Sequence, residues 1–321
     1  MSKLTKTART CFDIFIFLAA CFMLFAILKW FQPFRRGFFC HDESLQYPFL
    51  QSTIGSSVVL LISLGVPCLV ILTVELFKRL NNTACKRKPN AGTGCRIGYR
   101  LLQCYKHVGI FLFGFALTIT ATMITKHSTG RLRPHFFAVC QPELPDGTNC
   151  SNTTNFGRYI TDYTCKNSNA TAHMISEATV SFPSGHASLM FYAMLYVSIY
   201  LQSTLSTRAS KLLKHLLQFI FIMLAWYVSL TRVADYHHHW SDVLAGASLG
   251  ALLAVLVAVF VAEFFNCVRP NQRPQIRPST STTSSAKSAT PVLPAYTFGS
   301  IPYLHHPHQY GQTYHNYGYV P

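Results

Sequence analysis

The chain has 321 residues, of which 50% are hydrophobic and only 12% charged, with a formal net charge of +16. Soluble domains carry about a quarter charged residues, so long apolar runs with so little charge exclude an ordinary soluble fold and point to a polytopic membrane protein. The basic excess invites a nucleic-acid reading, but the positive residues gather in short segments between apolar runs rather than on one stripe, which argues against it.

Six apolar runs approach the roughly 20 residues a helix needs to cross a bilayer. They lie near 12–31, 57–77, 108–126, 183–202, 214–231 and 241–265. The first lacks a small-residue cleavage site and reads as a retained span rather than a signal peptide. Lys3, Lys6 and Arg9 precede it. Lys78, Arg79, Lys86, Arg87, Lys88, Arg96, Arg100 and Lys106 lie between the second and third runs, and Arg208, Lys211 and Lys214 between the fourth and fifth. Excess Lys and Arg in short loops marks the cytoplasmic side, so both termini are expected there, with the charge setting topology and touching anionic headgroups. The expected fold class is all-α, with six transmembrane helices.

The expected organisation is a cytoplasmic N-terminus (1–11), a six-span domain (12–265) and a cytoplasmic tail (266–321). The tail is rich in Pro, Ser, Thr, His and Tyr, a composition that cannot bury a core and is expected to be disordered. The segment from His127 to Phe182 is too long for a plain connector and reads as an ordered outer cap. Cys40, Cys140, Cys150 and Cys165 fall on the outer side, where disulfides form, and the three pairings that four cysteines allow stay open. Asn149, Asn152 and Asn169 head glycosylation sequons in the same loop, whereas Asn81 heads one on the inner side and is expected to stay unmodified.

Three short clusters should reach the outer face together, because the third and fifth spans run outward and the fourth and sixth run inward. The first, KHSTGRLRP, supplies Lys126 and Arg133 ahead of Pro134, which biases Arg133 toward an extended backbone. An arginine offers a planar fork to phosphate oxygens and a lysine a compact charge; either residue alone could be snorkelling at a span end. The second, SFPSGHAS, opens the fourth span. Pro183 suits a first helical turn, Ser184 and Gly185 offer a hydroxyl and close backbone approach at a helix N-terminus that favours anions, and His186 stands beside them with a proton to give.

The third cluster, TRVADYHHHWSD, holds Arg232, His238 and Asp242. If the sixth helix begins near His238, then His238 and Asp242, at i and i+4, share one face. Asp242 would hold one imidazole nitrogen and leave the other nucleophilic. The run His237–His239 suggests a metal, but adjacent helical side chains point about 100° apart and cannot converge on one ion. No metal and no cofactor is expected, and His237 and His239 read as surface or rim residues. Gly246 and Gly250 continue the same face and let membrane helices approach closely.

These residues resemble the type 2 phosphatidate phosphatase superfamily, whose pattern is KxxxxxxRP, PSGH and SRxxxxxHxxxD. Lys126, Arg133 and Pro134, then Pro183 to His186, then Arg232, His238 and Asp242 match it, with Thr231 where the pattern has serine. RRGFFCHDESLQYPF and PHFFAVC are similar to segments of its lipid phosphate phosphatase subfamily and of the insect Wunen-like members. The resemblance implies a helical core like that of the haloperoxidases, with the active site at the outer face of the plasma membrane or on a lumenal face. It implies that Lys126, Arg133, Arg232, Ser184 and the Gly185 backbone clamp phosphate, that His238 attacks phosphorus, that His186 protonates the leaving alcohol and then activates water, and that Asp242 orients His238. The implied partners are membrane lipids bearing a phosphate monoester: phosphatidate, lysophosphatidate, sphingosine 1-phosphate or ceramide 1-phosphate. No nucleic acid is expected, and a homo-oligomer is the general default. The competing readings are an inert lipid-phosphate-binding or adhesion protein, a different phosphatase of the superfamily, and a transporter.

Overall fold

A computed structural model describes residues 3–77, 93–204 and 211–264. The basic residues 78–92, Asn81, Arg208 and the tail 266–321 lie outside the described residues. In chain order the elements are α1 (Lys3–Trp30), β1 (Phe38–Phe39), α2 (Ser56–Phe77), α3 (Thr93–Thr129), α4 (Phe136–Cys140), β2 (Pro142–Glu143), β3 (Tyr159–Ile160), β4 (Thr164–Cys165), α5 (Ala172–Ala178), α6 (Gly185–Thr204), α7 (Lys211–Ala234) and α8 (Trp240–Leu256), which runs into a π-helical turn, Val257–Val261.

The chain is an all-α integral membrane protein. Among the described residues, five helices are long and apolar enough to cross a membrane: Cys11–Trp30, Ser56–Leu76, Leu101–Thr129, Leu212–Ala234 and Trp240–Val261. The remaining expected span corresponds to α6, 20 residues long, whose polar side chains dilute its hydropathy. Those side chains do not face lipid. The helix packs against α2, α3, α7 and α8, and Tyr192, Tyr196, Tyr200, Ser188 and Ser198 are all buried. Tyr192 donates to the Phe111 carbonyl (2.9 Å), Tyr200 to Glu75 (2.9 Å) and Ser198 to the Met194 carbonyl (2.7 Å). A helix wrapped by others needs no continuous apolar surface, because its polar groups find partners inside the bundle. The outer helices instead display Phe15, Phe22, Leu61, Leu212 and Phe260, the surface that acyl chains would cover.

The contact of α8 with α6 is set by glycine. A Cβ on Gly246 would lie 2.4 Å from the Ser184 carbonyl oxygen, and one on Gly250 would lie 2.1 Å from that of Ser188. Any larger residue must therefore push the two helices apart.

The segment between α3 and α6 folds as a cap with its own small core. Phe38 packs on Phe136 and Tyr163, with ring centroids 5.4 and 5.1 Å apart, and Leu132, Val139, Ile160 and Ala178 complete the buried set. The antiparallel pairs β1–β3 and β2–β4 tie it together. Among the described residues the disulfides are Cys40–Cys150, which joins the loop after α1 to the cap, and Cys140–Cys165 within the cap.

Candidate active site

Lys126 sits one turn before the end of α3. Gly130 then turns the chain with φ 53, and a Cβ there would lie 1.9 Å from the Phe34 carbonyl oxygen, so only glycine fits. The chain returns alongside the segment leading into α6. Ser181 N donates to the Arg131 carbonyl (2.7 Å) and Arg133 N to that of Ala178 (2.9 Å). This pairing brings Arg131, Arg133 and Ser181 to one place. Lys126 Nζ donates to the Val180 carbonyl (2.7 Å), and Arg133 pairs with Glu177 through a short charge-assisted bond.

α6 starts at Gly185, so Ser184 precedes its first residue and Pro183 lies before the helix rather than in its first turn. Ser184 N donates to the Asp242 carbonyl (2.9 Å), which fixes the start of α6 to the first turn of α8. The His186 ring lies beside the Ile54 backbone, and its Nε2 is buried and has no partner among the described residues.

Between α7 and α8 the chain folds back on Arg232, whose carbonyl accepts from both His237 N (3.1 Å) and His238 N (3.2 Å). Tyr236 takes φ 57 at this reversal. α8 begins at Trp240, later than expected, and His239 caps it, with Asp242 closing a capping box. His238 therefore stands in the loop, not on the helix. The Asp242 carboxylate accepts from Ser181 Oγ (2.6 Å), Arg131 (2.6 Å) and His239 N (3.1 Å), and lies 3.2 Å from His239 Nδ1. His238 Nδ1 is 3.8 Å from it and 3.3 Å from Ser181 Oγ. The expected direct bond from His238 to Asp242 is thus replaced by one through Ser181.

His237 also departs from its expected place. It is buried, hydrogen-bonded to Ser52 Oγ (3.0 Å), and packed edge-on against His135 and Phe49. The reason is long-range: the segment ahead of α2 covers the loop. The three consecutive histidines consequently address Ser52, Ser181 and Asp242 in turn.

Lys126, Arg133, Arg232, Ser184, His238 and Asp242 are all buried at this capped end of the bundle, with Gly185 and His186 half-buried among them. Burial is the chief cause that pushes His238 well below the ordinary histidine value, with the charges of Arg133 and Lys126 acting the same way and Asp242 opposing. His238 is therefore neutral at neutral pH. Arg232 is held by Asp235 (2.7 Å) and Ser52 (3.2 Å).

A PAP2 superfamily profile matches residues 107–266, a span that holds Lys126, Arg133, Ser184, Gly185, His186, Arg232, His238 and Asp242. The chain is 46% identical over 245 residues to a Drosophila melanogaster protein named as a phosphatidate phosphatase, covering 74% of this chain and 64% of that one. It is 38% identical over 218 residues to rat (Rattus norvegicus) phospholipid phosphatase 1, covering 68% of this chain and 72% of the relative. It is 37% identical over 229 residues to Bos taurus phospholipid phosphatase 2, covering 68% and 70%. The chain belongs to the PAP2 superfamily. Within it, the relatives place this protein among the lipid phosphate phosphatases, a family of enzymes. No solved structure matches the chain.

Other residues of this PAP2 chain join the cluster without having been singled out in the sequence. Arg131 and Asp235 lay inside the motifs, and Asp235 sits three residues after Arg232, a spacing at which a pair on a helix meets. Ser52, Thr53, His135 and Glu177 carry no such local signal, because each reaches the site from a distant segment.

Proposed function

We propose that the protein hydrolyses phosphate monoesters of membrane lipids without a metal, through a phosphohistidine. One arrangement carries this reading: two histidines and three cations from three separate segments are gathered around the start of α6. Ser181 N on the Arg131 carbonyl joins the first segment to the second, and Ser184 N on the Asp242 carbonyl with Ser181 Oγ between His238 and Asp242 joins the second to the third.

In the first step Nε2 of His238 attacks phosphorus and a P–N bond forms while the P–O bond to the lipid alcohol breaks. His186 Nε2 gives its proton to the departing oxygen. In the second step His186 takes a proton from water, the hydroxide attacks phosphorus, the P–N bond breaks, and inorganic phosphate leaves. Lys126, Arg133 and Arg232, with Ser184 and the Gly185 N–H, would neutralise the charge that develops on the phosphoryl oxygens. Asp242 holds Nδ1 of His238 through Ser181. Three cations suffice for this task without a metal ion, so activity should persist in EDTA.

Location supports a lipid substrate. Trp30 closes α1 and Trp240 opens α8, both at the capped end and both largely exposed at 69% and 70%. Tryptophan at span ends marks the membrane–water interface, so the cluster lies at headgroup depth. In the reading proposed here this face is extracellular or lumenal, the membrane is the plasma membrane, Asn149, Asn152 and Asn169 are glycosylated, and phosphatidate, lysophosphatidate, sphingosine 1-phosphate and ceramide 1-phosphate are the substrate class.

The deciding experiment is phosphate release from lysophosphatidate, in EDTA, by membranes carrying wild type or His238→Ala. Release by wild type with a loss of about a thousandfold or more in the variant is expected for a removed nucleophile. Release by neither protein, both being correctly folded, would favour an inert lipid-phosphate-binding protein. Equal release by both would reassign the nucleophile.

A further inference from the structure

Every residue placed in the reaction above comes from the segment after position 107 that the family profile matches. A short stretch well before it, residues 50–54 ahead of α2, nevertheless meets the site repeatedly. The Leu50 backbone lies beside His237. Ser52 Oγ accepts from Arg232 Nη1 (3.2 Å) and lies 3.0 Å from His237 Nε2. Thr53 donates twice to Asp235, from its backbone N to Oδ2 (2.8 Å) and from its hydroxyl to Oδ1 (2.7 Å). The Ile54 backbone lies beside His186.

We infer that residues 50–54 form a strap that positions Arg232 for phosphate, with Ser52 and Thr53 as its positioning residues. The inference rests on the phosphatase reading above. Its physical basis is the geometry of a guanidinium, which presents its N–H groups in a rigid planar fork. Fixing one edge fixes where the other edge points. Asp235 Oδ2 takes Arg232 Nη2 at 2.7 Å, Ser52 takes Nη1, and Thr231 Oγ1 accepts from Nε at 3.3 Å. Asp235 in turn is held on both oxygens by Thr53, whose N–H shares Oδ2 with Arg232 and whose hydroxyl takes Oδ1, so the carboxylate is fixed against swinging with the arginine.

The strap is itself anchored at both ends. Tyr47 N donates to the Pro134 carbonyl (3.1 Å) and its ring stacks on Tyr236 at 4.6 Å. At the other end Gly55 accepts from Val59 N (3.1 Å) in the first turn of α2.

The test uses the full-length protein in detergent–lipid micelles, with Thr53→Val and Thr53→Ser compared with wild type. Two quantities are read: kcat and KM for lysophosphatidate in EDTA, and the rise in melting temperature that orthovanadate, a phosphate mimic, produces at increasing concentration. Thr53→Val should lower kcat about tenfold and require about tenfold more orthovanadate for the same stabilisation, the size of one lost hydrogen bond to a charged group. KM should move little, since the lipid body is not contacted. Thr53→Ser, which keeps the hydroxyl, should stay within about twofold of wild type. Equal behaviour of the Val and Ser variants, or unchanged orthovanadate stabilisation in Thr53→Val, overturns the strap. If Thr53→Val does not accumulate, Ser52→Ala removes a single hydroxyl and decides between the same outcomes. If wild type itself releases no phosphate, the phosphatase reading falls on its own, and the orthovanadate response still judges the strap.

Discussion

His238 Nδ1 and Asp242 Oδ2 lie 3.8 Å apart, beyond hydrogen-bond reach, and Ser181 Oγ stands between them at 3.3 and 2.6 Å. The carboxylate is shared among Ser181, Arg131 and the cap of α8. It is therefore a structural hub as well as the group that faces the imidazole. Ser181→Ala should leave the fold intact and reduce kcat about tenfold, because one neutral link in a buried network is lost. Asp242→Asn should cost about a hundredfold or more, since the amide cannot hold the imidazole in one tautomer. Steady-state kinetics on both variants checks the order; a Ser181→Ala enzyme as slow as Asp242→Asn would place the serine in the chemistry itself.

The α6–α8 contact should tolerate no added methyl. Gly250→Ala places a Cβ 2.1 Å from the Ser188 carbonyl oxygen, and the obstacle is backbone that cannot rotate away. A loss of about 1–3 kcal/mol is expected, together with reduced activity, since α6 and α8 carry His186 and Asp242. Gly65→Ala and Gly109→Ala meet nothing within 4 Å and should be silent. Thermal unfolding in detergent of the three variants side by side measures the contrast.

The rate should depend on pH through two opposed requirements. In the proposed mechanism His238 must be neutral to attack, and burial holds it well below the ordinary histidine value of 6.5, so the acidic limb of kcat/KM should fall below that of a free histidine. His186 must be protonated to donate, so a basic limb follows as it loses its proton. A flat profile from about pH 4 to about pH 9 would count against the pair.

Stability should also fall with acid. Burial pushes His135 and His237 down to about 4, whereas an unfolded histidine titrates near about 6.5. Between these values the unfolded chain binds more protons than the folded one, so stability rises with pH across that window. The contribution is complete above the unfolded value and is lost as pH falls toward the folded one. Melting temperatures taken from about pH 7 down to about pH 4 should decline, and His135→Gln should decline less steeply.

Loss of the Cys40–Cys150 bridge should loosen the site indirectly. It closes a separation of 110 residues and ties the loop ahead of the strap to the cap. Cys40→Ser should destabilise the protein by about 2–5 kcal/mol. Non-reducing peptide mapping should recover the Cys40–Cys150 and Cys140–Cys165 pairs, and any other pairing would contradict the cap described above.

The placement of the motif residues was legible in the sequence wherever a motif is contiguous. Lys126 and Arg133 flank a turn that Gly130 permits, Ser184 to His186 open a helix, and Arg232 and His238 share one tight reversal. The close approach at Gly246 and Gly250 was legible too, since small residues four apart on a membrane helix have one common use. Hydropathy set the bundle's helices, and it was weakest for α6, whose tyrosines face protein rather than lipid.

What the sequence by itself determined is the all-α membrane bundle and the residue inventory of the three clusters, because span length, charge bias and short motif spacing are properties of contiguous residues. Only the tertiary structure decided which partners those residues take. The burial of His237, the serine link between His238 and Asp242, the two disulfide pairs and the strap over Arg232 each join segments far apart in the chain. Their energies come from contacts that exist only after the bundle and cap have closed, so no local pattern announces them.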